Sequence, residues 1–167
     1  MDVAALLLDG FSRVDEVVAE VLDDLPDDHL HRRVTPDANP IGWLIWHLFR
    51  VQDDHIADVA DQPQRWVADG WQERFALPLP SHDTGYAHDR GQVDLLSTVT
   101  APLLRGYAEA VSGSSRAYLA GLTAADLDRI VDTRWDPPVT LGVRLLSILS
   151  DDLQHAGQAA YVRGLLG

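Results

Sequence analysis

Near its C-terminus the chain reads "SDDLQHAGQAAYVRGLLG", residues 150–167, in which Asp151, Asp152 and His155 interrupt a run of small and apolar residues. A seven-residue spacing links Leu141, Ile148, His155 and Val162, and a second links Leu145, Asp152, Ala159 and Leu166. These are the two seams of a buried helical stripe. His155 therefore faces inward, and Asp151 and Asp152, four and three positions before it, can turn toward the same point. A second histidine, His47, lies in "GWLIWHLF" on a face with Leu44 and Val51, a segment too apolar for an ordinary solvent histidine. Two imidazoles and one carboxylate carried by two facing helices make a divalent-cation site with positions left open for water or substrate.

The plainer alternative is a core histidine satisfied by hydrogen bonds beside a paired aspartate. Burying a carboxylate without a counter-charge is costly, and a cation is the general remedy in a chain without lysine. Arg144 and Arg163 are the other counter-charges within reach. Asp54 and Asp58 share the His47 face nearer the end of their helix, where a solvated rim is expected, and His55 suits a structural, surface or substrate-contacting role. His29, His31, His82 and His88 fall in expected loops and are read as ordinary. The five tryptophans suit core and pocket wall better than a cofactor box, and no glycine-rich phosphate loop is present.

The elements that must position these groups follow from apolar periodicity and its punctuation. A first helix is predicted over residues 2–25, ending at Pro26, and a second from Asn39 as cap, with Pro40 in the first turn, to about Ala60. Residues 61–90 mix Gly, Pro, Trp and Tyr without a steady period. A connection of that length reads as a functional crossover with one short helical turn. Helical spacing returns over 92–122, where Pro102 and Gly106 are candidate kinks or breaks. "TAAD" at 123–126 has the form of a capping box, "RIVDTRWDPP" reads as extended, and a last helix starts with Thr140 as cap. The expectation is an all-α protein: a four-helix bundle with one long irregular crossover between its second and third helices, forming a single domain over 1–167.

At 167 residues the chain can bury a sizeable core. It carries a formal net charge of -13 and thirteen basic residues, all arginine and none clustered, which argues against nucleic acid. No stretch has the length and apolarity of a membrane span, and the N-terminus lacks the pattern of a signal peptide, so the cytoplasm is the expected compartment. There is no cysteine, which excludes disulfides, thiolate zinc sites and a cysteine nucleophile. A thiol that takes part must arrive as a small molecule.

The last helix resembles that of the DinB-like superfamily, in which a His-xxx-His-x-Gly-Gln pattern closes a metal site opened by a histidine on the second helix. Here the pattern reads Asp151, three residues, His155, Ala156, Gly157, Gln158, and "NPIGWLIWHLFRVQDD" matches the second-helix segment. Aspartate in place of the first histidine is similar to the branch of mycothiol-dependent proteins that includes the maleylpyruvate isomerases. The resemblance implies His47, Asp151 and His155 as ligands to one divalent metal ion, zinc or nickel foremost, with mycothiol as co-substrate and a homodimer through outer helix faces. On the carboxylate the two lines part: the heptad seam points to Asp152, whereas the motif points to Asp151. The motif is followed, with Asp152 as the substitute or outer partner.

The function so implied is metal-dependent thiol S-transfer or isomerisation. An electrophilic small molecule would lie against the Trp66 and Trp71 segment, and nearby arginines would receive a carboxylate. No single catalytic residue is singled out. The rival readings are a metal-assisted hydrolase, with Asp54 or His55 as base, and a non-catalytic, stress-related bundle with a structural or vestigial metal.

Overall fold

The structure is a computed structural model that describes residues 1–167. Helix α1 spans Val3–Leu22 and opens on Asp2, whose carboxylate accepts the backbone N–H of Ala5. It ends three residues earlier than predicted. Asp24 then takes a positive φ of 46°, and a one-turn helix not anticipated from the sequence, α2 (Asp27–His31), follows. Helix α3 spans Ile41–Ala60 with Pro40, rather than Asn39, in the cap position. Proline at the start of a helix lacks only an N–H that would have had no partner.

Two further long helices, α7 (Ala101–Leu119) and α8 (Leu141–Leu166), complete the bundle. Helices α1 and α3 each pack against both α7 and α8, so that α1 lies diagonally across from α3. An amphipathic surface helix buries one stripe. Every residue from Pro40 to Arg50 is buried, because α2 and the crossover lie over the face of α3 that would otherwise meet solvent.

The crossover contains two short helices, α4 (Arg65–Ala68) and α5 (Trp71–Phe75), where one turn was expected. It is fastened to α3 by a buried polar network. Arg50, fully buried, donates to the carbonyls of Ser81 and Asp83 (both 3.1 Å), to Gln64 Oε1 (3.0 Å) and to the Tyr107 hydroxyl (3.1 Å). Asp53 accepts the backbone N–H groups of Arg65 and Trp66, each at 2.8 Å, and the Tyr107 hydroxyl at 2.9 Å. Buried charges are tolerated when paired and hydrogen-bonded in this way. Trp66 packs against Phe75 and Tyr107, with ring centroids 5.0 and 5.2 Å away, and Trp71 lies over Gly106, where a Cβ would stand 2.6 Å from its ring.

Beyond the crossover, the helical signal predicted over 92–122 is divided. Helix α6 (Arg90–Asp94) and a 3-10 turn, Leu95–Thr98, precede α7, and Pro102 stands in its first turn instead of kinking its middle. The capping box of Thr123 and Asp126 opens a 3-10 helix, Ala124–Asp128, as the sequence suggests. The extended segment then folds into an antiparallel hairpin of β1 (Ile130–Asp132) and β2 (Val139–Thr140). Thr140 Oγ1 caps α8 by accepting the Val143 N–H. No helix is long and apolar enough to cross a membrane.

Candidate metal centre

His47 lies in the buried half of α3, and its Nδ1–H donates to the Thr84 carbonyl at 2.5 Å. Its ring stacks on Trp43 one turn earlier, with centroids 4.7 Å apart and planes inclined by 12°. The crossover can come this close only because the next residue is Gly85. At its φ of +89°, a Cβ would stand 2.9 Å from His47 Nδ1 and 2.9 Å from the Trp46 ring. Asp83 shapes this turn by accepting the Gly85 N–H at 2.7 Å and the Nε2–H of His88 at 2.9 Å. His88 Nδ1 in turn accepts the Trp43 indole N–H at 3.2 Å. The expectation of an ordinary loop histidine fails at His88: its side chain is only 2% exposed, and it locks the indole on which His47 rests.

Opposite, α8 contributes Asp151 and His155. His155 Nε2 is 3.6 Å from Asp151 Oδ1, and its Nδ1–H meets Gln158 Oε1 at 3.0 Å. The two imidazoles approach edge to face with centroids 4.7 Å apart, and candidate ligand atoms of His47, Asp151 and His155 all lie within 4.8 Å of one another. Because carbonyl oxygens take up both Nδ1–H groups, the lone pairs at Nε2 are left for a ligand. Metal-binding histidines are held in this manner by their outer partners. Asp151 Oδ2 is buried without a hydrogen-bond partner.

The protonation states follow from the surroundings. Burial pushes the His47 pKa down, with the Thr84 carbonyl and Asp151 pulling only partly back. For Asp151, burial alone would raise the pKa, but the imidazole of His155, 3.6 Å away, outweighs it and holds the carboxyl below its usual range. His155 is pushed down by burial and lifted more strongly by Asp151, so that it ends above the ordinary imidazole value.

Asp152, one position along, has a different environment. It is fully buried, neither oxygen has a partner, and burial raises its pKa well above the carboxylate range, with the charges of Asp151 and Asp15 adding to the effect. The heptad reading was right about its burial, but its carboxyl stands apart from the imidazoles. A turn of about 100° per residue separates the α3-facing edge, where Asp151 sits, from the core seam. Neither arginine considered as a counter-charge serves Asp151. Arg144 binds Asp132 and His55 Nδ1, each at 3.0 Å, and Arg163 binds the Glu20 carbonyl.

A cavity of about 760 Å³ opens onto His47 and Asp151. Val51, Ile148, Val139 and Val143 supply apolar wall, the exposed rings of Tyr86 and Trp135 flank it, and His55 and Arg144 add polar groups. Trp66 and Trp71, expected here, instead pack with Tyr107 beneath the crossover. The aromatic wall comes from the hairpin and from the end of the crossover.

Comparison with known proteins gives two results. Residues 6–167 match the family described as mycothiol S-transferase. The fold superimposes on the crystal structure of a conserved protein from Enterococcus faecalis with a TM-score of 0.90 and 29% sequence identity, covering 98% of this chain and 96% of that one. No curated protein matches.

Proposed function

The chain belongs to the mycothiol S-transferase family, and from that premise we propose that it transfers a low-molecular-weight thiol to an electrophile, using one divalent cation held by His47, Asp151 and His155. One observation carries this reading: both imidazoles have Nδ1 engaged by a carbonyl oxygen, one ligand atom from each ring lies within 4.8 Å of an Asp151 carboxylate oxygen, and Asp151 Oδ2 is buried without a hydrogen-bond partner. Two neutral nitrogens and an anionic oxygen suit zinc or nickel. Such a cation, when bound, lowers the pKa of a thiol at a vacant position and so supplies a thiolate near neutral pH.

The chain's own residues provide the rest. The α3 wall fixes His47 in position and tautomer, and Asp151 supplies the negative charge. Val51, Ile148 and Val143 exclude water from one side of the cavity, while Tyr86 and Trp135 offer apolar faces to an electrophile at its mouth. The nucleophile must come from outside, because the chain contains no cysteine.

Hydrolysis would need a base for water, and the geometry works against His55 in that role. A guanidinium can only donate, so Arg144 occupies the lone pair of His55 Nδ1, leaving Nε2 to carry the proton. His55 is then a donor toward the cavity.

Titration of mycothiol into the cobalt-substituted protein, with bacillithiol and glutathione for comparison, tests the reading. A sulfur-to-metal charge-transfer band is expected, lost in His47→Ala, and conjugation of a general electrophile should require both metal and thiol. Ester or amide hydrolysis without thiol, together with a cobalt spectrum that no thiol perturbs, would overturn it.

A further inference from the structure

The cavity that opens onto His47 and Asp151 also holds His55, a half-buried histidine on α3 to which thiol activation gives no task. It follows His47 by eight residues, about 12 Å along the helix axis, with Val51 of the cavity wall halfway between them. The partners of its ring set its role. A carboxylate accepting from Nδ1 would leave a lone pair on Nε2 and make the ring a base. Here Arg144 Nη1 meets Nδ1 at 3.0 Å, and Arg144 Nη2 is anchored on the buried Asp132 at 3.0 Å. A guanidinium only donates, so the ring proton stays on Nε2. Asp54 Oδ2, 3.7 Å from Nδ1, is the competing partner that Arg144 displaces. Burial and the Arg144 charge lower the His55 pKa against the pull of Asp54, Asp58 and Asp151, which keeps the ring neutral.

The Nε2–H has no partner in the chain. Other donors around the cavity are spent or stand at its mouth: the Ser147 hydroxyl goes to the Val143 carbonyl, Arg134 is bound through Nε and Nη2 to Asp132, and Tyr86 and Trp135 are exposed. His55 is the donor held by the bundle itself. The guanidinium behind the ring polarises it and strengthens the N–H without ionising it. A fixed neutral donor in a partly apolar cavity acts best on an atom that becomes negative as the reaction proceeds.

We propose that His55 is a catalytic residue whose Nε2–H hydrogen-bonds the oxygen of the electrophile, and that Arg144 is the positioning residue that fixes its tautomer. The inference rests on the thiol-transfer reading and adds the class of electrophile: one that moves an electron pair onto an oxygen as sulfur bonds to carbon, as epoxides and conjugated carbonyls do. The thiolate pair forms the sulfur–carbon bond. The C–O bond of the epoxide, or the π bond of the conjugated system, releases its pair toward the oxygen, and the product takes up through water the proton that the thiol gave up. His55 lends a hydrogen bond and keeps its own proton. A halide carries its charge away into water and gains little from such a donor.

The test compares two electrophiles of similar size, styrene oxide and benzyl chloride, with mycothiol and the zinc-loaded protein. His55→Ala should lower the styrene oxide rate relative to the benzyl chloride rate by roughly 100-fold, the scale of a lost oxyanion donor. The loss should fall in kcat rather than KM, and His55→Gln, which keeps an amide N–H, should recover part of it. Nitrogen NMR of the histidine-labelled protein gives a readout independent of turnover: the His55 proton should sit on Nε2, and move to Nδ1 beside Asp54 in Arg144→Met. A proton on Nδ1 in the unsubstituted protein, a rate ratio that His55→Ala leaves unchanged, or conjugation of benzyl chloride alone would overturn this inference and leave thiol transfer standing. Failure to conjugate either electrophile with metal and thiol present would overturn the thiol-transfer reading, and the role of His55 with it.

Discussion

On the α3 side of the candidate metal centre, His47 is fixed by the Thr84 carbonyl and Gly85, both distant in the sequence, and by Trp43, itself locked through His88 to Asp83. On the α8 side, Asp151 and His155 are half-buried and held by groups within one turn of the same helix, namely each other and Gln158. Contacts from several elements set a position that no single side chain can change. Contacts within one helical turn leave the rotamers free to respond to what binds. The centre thus joins a fixed wall to an adjustable one, an arrangement suited to a cation whose vacant positions must accept and release ligands.

Removing an imidazole should have the largest effect. His47→Ala and His155→Ala should each lower the metal content from about one ion per chain to none after dialysis, as measured by elemental analysis. The two should differ in stability, with His47→Ala lowering the thermal midpoint of the metal-free protein and His155→Ala leaving it nearly unchanged. Equal midpoints would break the comparison.

Next in size is a pair of glycines, one on each wall. Gly85→Ala combines a positive φ with contacts at 2.9 Å. It should cost about 1–3 kcal/mol in chemical denaturation and weaken metal binding by roughly 10- to 100-fold. Gly157→Ala on α8 meets nothing within 4 Å and should be neutral, or stabilising by about 0.5–1 kcal/mol, as expected for alanine in a helix.

Smaller effects should separate the neighbouring aspartates. Asp151→Asn should weaken zinc binding by about 10-fold or more in competition with a chelator, and Asp152→Asn by much less. The reverse order would mean that the core carboxyl turns toward the cation. Smallest of all, Gln158→Ala should weaken binding by about threefold and leave stability unchanged. A larger loss would show that the α8 wall is as rigid as its partner.

The legibility of these features in the sequence follows the same division. His155 and His47 could be found because their neighbours at helical spacing are apolar, and periodicity reports which face is buried. Asp152 shows where that signal stops: the seam identified a buried position, but burial does not say what the side chain faces. Asp151, on the edge of the stripe, was placed near His155 by its spacing but was chosen over Asp152 only through the motif it shares with His155 and Gln158. His88 and Thr84 gave no periodic signal, since they lie in a turn whose position depends on contacts with a helix about forty residues earlier. The one available cue was Arg50 and Asp53 among the apolar residues of α3, two charges in a segment otherwise made for burial. The tryptophans misled because large aromatics serve equally well in a core and in a pocket wall.

Two of Arg50's bonds end on backbone carbonyls, those of Ser81 and Asp83. A carbonyl is the same atom whatever side chain accompanies it, so the grip on the segment leading to Thr84 does not depend on the identity of residues such as Ser81 and His82. Their side chains can be exchanged by drift or by design while the oxygen that orients His47 keeps its place. The fold therefore separates inheritance of the site from variation beside it: one guanidinium keeps the register, and positions such as 81 and 82 of the loop it holds are free to diversify.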